Sequence, residues 1–301
     1  MSSLENRVVV VTGAGRGIGR AHALLAAEEG ASVVVNDIGA DPGGRGTDGS
    51  LAEMVVKEIT AAGGTAVVST ADVRTMAGAR ELLDTTLTAF GRVDGLVNNA
   101  GVLRDKMFAN MSEEDWDAVI EGQLKATFAP SRIFAEHWRD ESKAGRQPRA
   151  SLVNVPSTSG LIGAVGQSNY GAAKAGIAAL TVILAQELGR YGVRVNAVTP
   201  VARTRMTEDL PVIGDMVAAP TDPAEFDVYH PGNVSPLVAW LLTEGCAANG
   251  TVWYAKGGEI RRFAPWSYEW KVDKGQRWTV AELDAELGSR VAADASASPH
   301  G

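Results

Sequence analysis

Ser157, Tyr170 and Lys174 have the residue types and the spacing of a hydride-transfer site. Tyr170 and Lys174 lie four apart in Asn169-Tyr170-Gly171-Ala172-Ala173-Lys174, so a helix places both on one face. A free phenol ionises near pH 10, too high for a base at neutral pH. An ammonium one turn away favours the phenolate, and lowering the pKa by roughly three units takes about 4 kcal/mol. Ser157 follows the apolar run Ser151–Val155, where a strand would end, and its hydroxyl can hydrogen-bond a substrate oxygen.

Those residues need a scaffold, and the hydropathy pattern supplies one. Val8–Thr12, Ser32–Asn36, Thr65–Ser69, Gly95–Asn98, Ser151–Val155, Arg194–Val198 and Thr251–Ala255 read as seven strands, nearly continuous in apolar character. That character predicts a parallel sheet covered on both faces. Arg20–Glu29, Leu51–Ala62, Ala79–Phe90, Glu113–Trp138, Tyr170–Arg190 and Pro236–Thr243 read as the helices between them. Ser112 starts a capped helix, and Gly30, Gly63 and Gly91 mark helix stops. Strand-helix alternation predicts an α/β, doubly wound sheet in one domain, residues 1–260. Arg203–Asn233 is proline-studded and weakly periodic, the pattern of a substrate lid. Residues 261–301 form an extension with Trp266, Tyr268, Trp270 and Trp278. Clustered aromatics favour docking onto the body or a neighbouring subunit over ligand contact, and disorder is expected from about Ala292.

The first strand runs into Thr12-Gly13-Ala14-Gly15-Arg16-Gly17-Ile18-Gly19 and then a helix. Glycines at that junction allow a tight turn and close approach of a pyrophosphate, which the helix N-terminus attracts. The spacing Gly13-x-x-x-Gly17-x-Gly19 departs from G-x-G-x-x-G, while the strand-helix setting is that of a dinucleotide site. Asp37, at the end of the second strand, is placed to take both adenosine ribose hydroxyls. It would repel a 2′-phosphate by about 4 kcal/mol at ~4 Å and an effective dielectric of ~20. NAD is therefore expected over NADP, with Arg16 and Arg45 the residues that would pair such a phosphate. Asp72-Val73 would flank the adenine, Asp72 accepting from its amino group or capping the strand end.

The 301 residues are 45% apolar and 21% charged, ordinary for a globular enzyme. A net charge of −8 argues against nucleic acid or an anionic membrane as the main partner. Cys246 is the one cysteine, so no intrachain disulfide exists. His22, His137, His230 and His300 show no metal-ligand spacing, and no metal is expected. Met1–Arg7 leads straight into a short strand, neither signal peptide nor membrane span, so a cytoplasmic enzyme is expected.

The glycine turn, Asn98-Asn99-Ala100-Gly101 and Ser157…Tyr170-x-x-x-Lys174, in that order, resemble the short-chain dehydrogenase/reductase family from about Arg7 to Gly258. The resemblance implies a Rossmann-type seven-stranded sheet and reversible hydride transfer between nicotinamide C4 and an alcohol or carbonyl carbon. It implies Tyr170 as general base or acid, Ser157 as stabiliser of the substrate oxygen, and Lys174 as pKa-lowering group and anchor of the nicotinamide ribose. Asn99, Ala100, Gly101 and Pro200 join the cofactor residues by the same resemblance. So does a homodimer or homotetramer built on Glu113–Trp138 and Tyr170–Arg190.

Asn36-Asp37-Ile38-Gly39, Leu103-Arg104-Asp105, Gln123–Phe128, Thr204-Arg205-Met206-Thr207 and Pro236–Leu241 resemble more closely the dehydrogenase domain of the peroxisomal multifunctional enzyme of β-oxidation. The implied substrate is a small molecule, a (3R)-hydroxyacyl-CoA, with a 17β-hydroxysteroid or a 3-ketoacyl reductase activity as alternatives. A non-enzymatic dinucleotide sensor or scaffold is the rival of another class. Arg104, Lys106, Arg203 and Arg205 are candidate cations for a CoA moiety or solvated surface charges. Gln123 stands where the family has an asparagine that holds a proton-relay water, which predicts a rerouted relay. Pro200-Val201-Ala202-Arg203 replaces the common Pro-Gly of the loop after the sixth strand.

Overall fold

The computed structural model describes residues 3–41, 46–204, 213–222 and 224–297. Contacts divide the chain into two units, Met1–Phe263 and Ala264–Gly301. The first holds a single sheet in the order β3-β2-β1-β4-β5-β6-β7-β8. The strands are β1 (Val8–Thr12), β2 (Ser32–Asn36), β3 (Thr65–Ser69), β4 (Gly95–Asn98), β5 (Ala150–Asn154), β6 (Val193–Val201), β7 (Val252–Lys256) and β8 (Glu259–Arg262). β1 to β7 are mutually parallel, as the sequence predicts.

β8 is an addition to that expectation: it folds back antiparallel on β7, pairing Lys256 with Glu259 across Gly257-Gly258. Glu259-Ile260-Arg261-Arg262 has one apolar residue and gave no strand signal. The glycine pair, with φ +53° at Gly257, was the hairpin signal that could have found it.

The strands are buried on alternate sides. Val9, Val11, Val33 and Val35 pack with Ala23 and Ala26 of helix α1 (Gly17–Glu28) and Val55 and Ile59 of α2 (Ser50–Ala61). Val10 and Val34 face the opposite layer, with Leu82 of α3 (Met76–Phe90), Phe134 and Trp138 of α5 (Ala126–Lys143), and Leu188 of α7 (Ser168–Leu188). Period-two alternation along strands and helical stripes on both faces thus close a three-layer core.

The expected helix Glu113–Trp138 is α4 (Glu113–Val119) and α5 joined by a π turn, Ile120–Lys125. α4 starts at the predicted cap, where Ser112 and Asp115 form a reciprocal capping box. Sheet order reverses between β1 and β4, so a crevice opens at the carboxyl ends of the strands there.

Within the second unit a helix spans Val280–Ala297. It runs past Ala292, where the sequence predicts disorder, and its alanine-rich composition accounts for that. Trp270 and Trp278 are taken up inside this unit by the Arg290 guanidinium and the Lys274 ammonium, 5.7 and 5.1 Å from their rings. Trp266, Tyr268 and, in part, Trp270 are exposed.

Candidate active site

The cofactor end of the crevice is made by backbone held against backbone. Thr12 closes β1, and its Oγ1 accepts from Asn99 N–H and Ala100 N–H at 3.0 and 3.1 Å. Asn99 Nδ2 donates back to Thr12 O and Gly13 O, tying the ends of β1 and β4 together. Gly13 takes a left-handed φ of +62°, and a Cβ there would sit 2.8 Å from Ala100 Cα. At Gly19 a Cβ would fall 2.2 Å from Gly13 O, so the first turn of α1 fits only with a bare backbone. Gly13, Arg16, Gly17, Ile18 and Gly19 line the resulting cleft with Asp37, Asp72, Val73, Asn99, Ala100 and Gly101. A helix N-terminus over a glycine floor fits a pyrophosphate.

Asp37 stands at the rim of that cleft. Its carboxylate accepts from Gly15 N–H at 2.8 Å and Gly39 N–H at 2.7 Å, two main-chain donors that fix it. Each oxygen retains lone-pair capacity for a ribose hydroxyl. Gly15 therefore serves the cleft through Asp37. Arg16 turns to Ala40 O at 2.8 Å. Arg45 lies outside the described residues.

Asp72 lines the cleft and is also engaged within the protein. It forms a two-pronged ion pair with Arg74 at 2.8 and 2.9 Å, and its main-chain oxygen receives Thr75 N–H at the N-cap of α3. The Arg74 hydrogen bonds hold its carboxyl below the usual range. An adenine amino group would have to share a carboxylate already engaged.

Pro200 does not lie in a loop. It sits inside β6 paired with Ala255, and the loop begins at Ala202. The β-prone run Ala197-Val198-Thr199-Pro200-Val201 extends the strand past the expected end.

At the other end, Ser157 N-caps the short helix α6 (Thr158–Leu161), its Oγ accepting from Ser159 N–H at 3.2 Å. Tyr170 and Lys174 rise from the first turns of α7, with the Lys174 ammonium nitrogen 5.4 Å from the Tyr170 ring centre. Asn169 staples that helix end, donating to Arg104 O and Asp115 O at 3.0 and 3.1 Å. α6 lies directly on α7, because a Cβ at Gly160 would meet Ala175 N at 2.4 Å. The Ser157 hydroxyl stands by the Tyr170 phenol and favours its ionised form. The three residues expected to react are thus brought together.

Their charge states differ from the expectation. Burial pushes the Tyr170 phenol up to about 12, and the Ser157 hydrogen bond opposes this only in part. Lys174 is buried, donates to Val155 O at 2.6 Å, and is pushed down to about 7. Desolvation weakens the cation that was to lower the phenol, so the protein alone holds Tyr170 protonated.

Gln123 lies in the π turn, fully buried, with Nε2 donating to Val102 O at 2.7 Å. Its Oε1 has no partner among the described residues. Gln123 packs against Gly101, where a Cβ would meet its amide at 2.6 Å, and it borders the crevice from behind.

Of the candidate cations, Arg104 pairs with Glu114 at 3.1 Å and Lys106 with Asp115 at 2.7 Å. Arg203 pairs with Asp227 inside the expected lid. Arg205, the remainder of residues 205–212, and residue 223 lie outside the described residues. Among the described residues, no group of three or more His, Cys, Asp or Glu side chains gathers as a metal site.

Several supporting residues escaped the sequence reading. Asn98 Nδ2 donates to Asn154 Oδ1 and Ser131 Oγ, and Asn154 donates to Thr181 Oγ1, all near 2.9 Å. This buried ladder fixes β4, β5 and α7 relative to one another. Asparagines ending two apolar strands were its signal. Ser159, Gln167 and Asp105, which continue the hydrogen bonding away from Ser157, gave none.

The short chain dehydrogenase family model matches residues 7–211. The chain is 43% identical over 295 residues to the hydroxyacyl-CoA dehydrogenase ChsB1 of Mycobacterium tuberculosis, covering 95% of this chain and 89% of that one. It is 40% identical over 256 residues to the peroxisomal multifunctional enzyme type 2 of Mus musculus, covering 85% of this chain and 32% of that one. The crystal structure of a short chain dehydrogenase from Mycobacterium avium superposes with a TM-score of 0.85 at 49% identity, covering 96% of each chain. With a dinucleotide cleft on one side of the crevice and Ser157, Tyr170 and Lys174 on the other, the chain belongs to the short-chain dehydrogenase/reductase family, NAD(P)-linked oxidoreductases acting on the CH–OH group of small molecules.

Proposed function

We propose that the protein is an NAD-dependent dehydrogenase that oxidises the secondary hydroxyl of a bulky apolar substrate, a (3R)-hydroxyacyl-CoA, to the ketone. The observation that carries the substrate class is the 43% identity with a hydroxyacyl-CoA dehydrogenase, which extends over 95% of this chain. Exposed Met107, Phe108, Ile162 and Val165 lie on the two segments joined by the Lys106–Gln167 bridge, beside Ser157 and Tyr170. They offer apolar surface for an acyl chain. Asp37 supports NAD, since a second phosphate would meet a fixed carboxylate.

In this reading Tyr170 Oη takes the proton of the substrate hydroxyl while hydride leaves the same carbon. Ser157 holds the reacting oxygen by a hydrogen bond. Lys174 holds the nicotinamide ribose, and Gly13 to Gly19 seat the pyrophosphate. A bound oxidised nicotinamide would supply the hydride acceptor, and its positive charge would favour the Tyr170 phenolate that the protein alone does not. A homodimer or homotetramer is part of the proposal, supported by exposed Phe128, Val182 and Ile183 on α5 and α7.

The test is NADH formation from NAD with a (3R)-hydroxyacyl-CoA series beside a 17β-hydroxysteroid. Turnover of the thioesters with little of the steroid is expected. Turnover of the steroid alone overturns the substrate class, and a preference for NADP overturns the role of Asp37.

A further inference from the structure

A line of hydrogen bonds leaves the reacting residues on the side away from the cofactor. Ser157 Oγ donates to Ser159 Oγ at 3.3 Å. Ser159 Oγ donates to Gln167 Oε1 at 2.6 Å. Gln167 Nε2 donates to Asp105 Oδ2 at 2.7 Å. Asp105 follows the loop after β4, and Gln167 precedes α7, so three separate segments meet through four side chains.

The direction of this line is dictated from its far end. An ionised carboxylate only accepts, so Asp105 draws the amino side of the Gln167 amide toward itself. The amide oxygen is then turned to Ser159. Ser159 has one proton and spends it on that oxygen, so toward Ser157 it can only accept. Ser157 in turn points its proton at Ser159 and turns its lone pairs elsewhere. Every bond from Ser157 to Asp105 runs the same way. If the amide turned over, every hydroxyl in the line would reverse.

We infer that Asp105, acting through Gln167 and Ser159, is a positioning residue that sets which way the Ser157 hydroxyl points at the reacting oxygen. The inference rests on the roles given above to Ser157 and Tyr170. With its lone pairs toward the cleft, Ser157 is prepared to meet an O–H group. The long 3.3 Å link to Ser159 lets its proton swing to the substrate oxygen as Tyr170 withdraws the hydroxyl proton.

The surroundings leave Asp105 to this task. Arg104 and Lys106 on either side of it pair with Glu114 and Asp115 of α4. Tyr170 and Lys174 are the ionisable groups of α7 that face the line. Asp105 reaches solvent, and partial burial of its carboxyl pushes it up. Its negative charge also disfavours the Tyr170 phenolate.

An exchange of the two end groups tests the direction of the line. Gln167→Glu alone sets two carboxylates against each other and is expected to lower kcat by about tenfold. Asp105→Asn with Gln167→Glu restores the same direction, because the new amide donates to the new carboxylate, which still accepts from Ser159. Recovery of most of the lost kcat is expected in the double variant. A double variant no faster than Gln167→Glu overturns the inference.

A second readout needs no turnover. Ultraviolet titration of Tyr170 in the NAD-loaded protein, each variant subtracted from its own Tyr170→Phe counterpart, should show Asp105→Asn lowering the midpoint by roughly half a unit or more. An unchanged midpoint overturns the inference even where no thioester is oxidised. Absence of thioester turnover with the shifted midpoint overturns the substrate class and leaves the line standing.

Discussion

Around Gly13 and Gly19 the cleft is shaped by backbone pressed on backbone, whereas around Tyr170 it is shaped by side chains whose charges burial suppresses. At the cofactor end a single added methyl has nowhere to go. At the catalytic end partly or fully buried polar side chains are hydrogen-bonded across the ends of β5, α6 and α7. The difference teaches that the first region is vulnerable to volume and the second to protons. Variants at the two ends should therefore fail in different quantities, one in cofactor affinity and one in turnover.

The sharpest test of that separation is Tyr170→Phe, which removes one oxygen and no volume from the packed wall. Turnover should fall about 10³-fold or more while NADH binding, followed by fluorescence, stays near that of the unmodified protein. Equal loss in both would join the two ends that the geometry separates.

Gly19→Ala should give the reverse pattern. Its Cβ lies 2.2 Å from Gly13 O, so the turn must open, and cofactor binding should weaken by about a hundredfold. The melting temperature should fall as well. Binding within a few-fold of normal would mean the turn yields more readily than its contacts imply.

Asp37→Ala works within the cofactor end by charge rather than volume. The preference for NAD over NADP, measured as the ratio of kcat/KM values, should fall by roughly tenfold to a hundredfold. A ratio that does not move would place discrimination elsewhere, with Arg16 the first residue to examine.

The smallest effect concerns stability. Lys174 is pushed down to about 7 in the folded protein, so between about 7 and its ordinary value the unfolded chain binds the extra proton. Its contribution therefore makes the cofactor-free protein more stable as pH rises through that window. Tyr170 acts oppositely above its ordinary value, because the folded state then holds the proton longer. Lys174→Met should remove the rise, read as the difference in melting temperature between pH 7 and pH 9. A rise of the same size in the variant would assign it to other groups.

The two regions were also unequally legible. β1, β2, β3 and β4 fall where apolar runs placed them, and Gly13 to Gly19 sit at the junction their types required, because both signals are local in sequence. The helix spacing likewise brought Tyr170 and Lys174 to one face. Their protonation was not legible, since burial depends on residues such as Val155 that contact Lys174 only in the fold.

Asp72 offered two uses that the sequence could not separate. Arg74, two residues on, engages its carboxylate by a side-chain geometry that no pattern encodes. An expected strand ending at Val198 puts Pro200 in a loop, yet the parallel pairing to β7 continues through it to Val201.

The π turn at Ile120–Lys125 has a consequence for how the chain can drift over generations. A π turn holds one more residue than the α turn it replaces. Losing a single residue there would restore an ordinary helix and rotate everything N-terminal to it by about 100°. Gly122 would leave its seat against Val102, and the α4 acids would swing away from Arg104 and Lys106. Lineages of this protein can exchange residues within that turn, but a one-codon deletion should be purged from them.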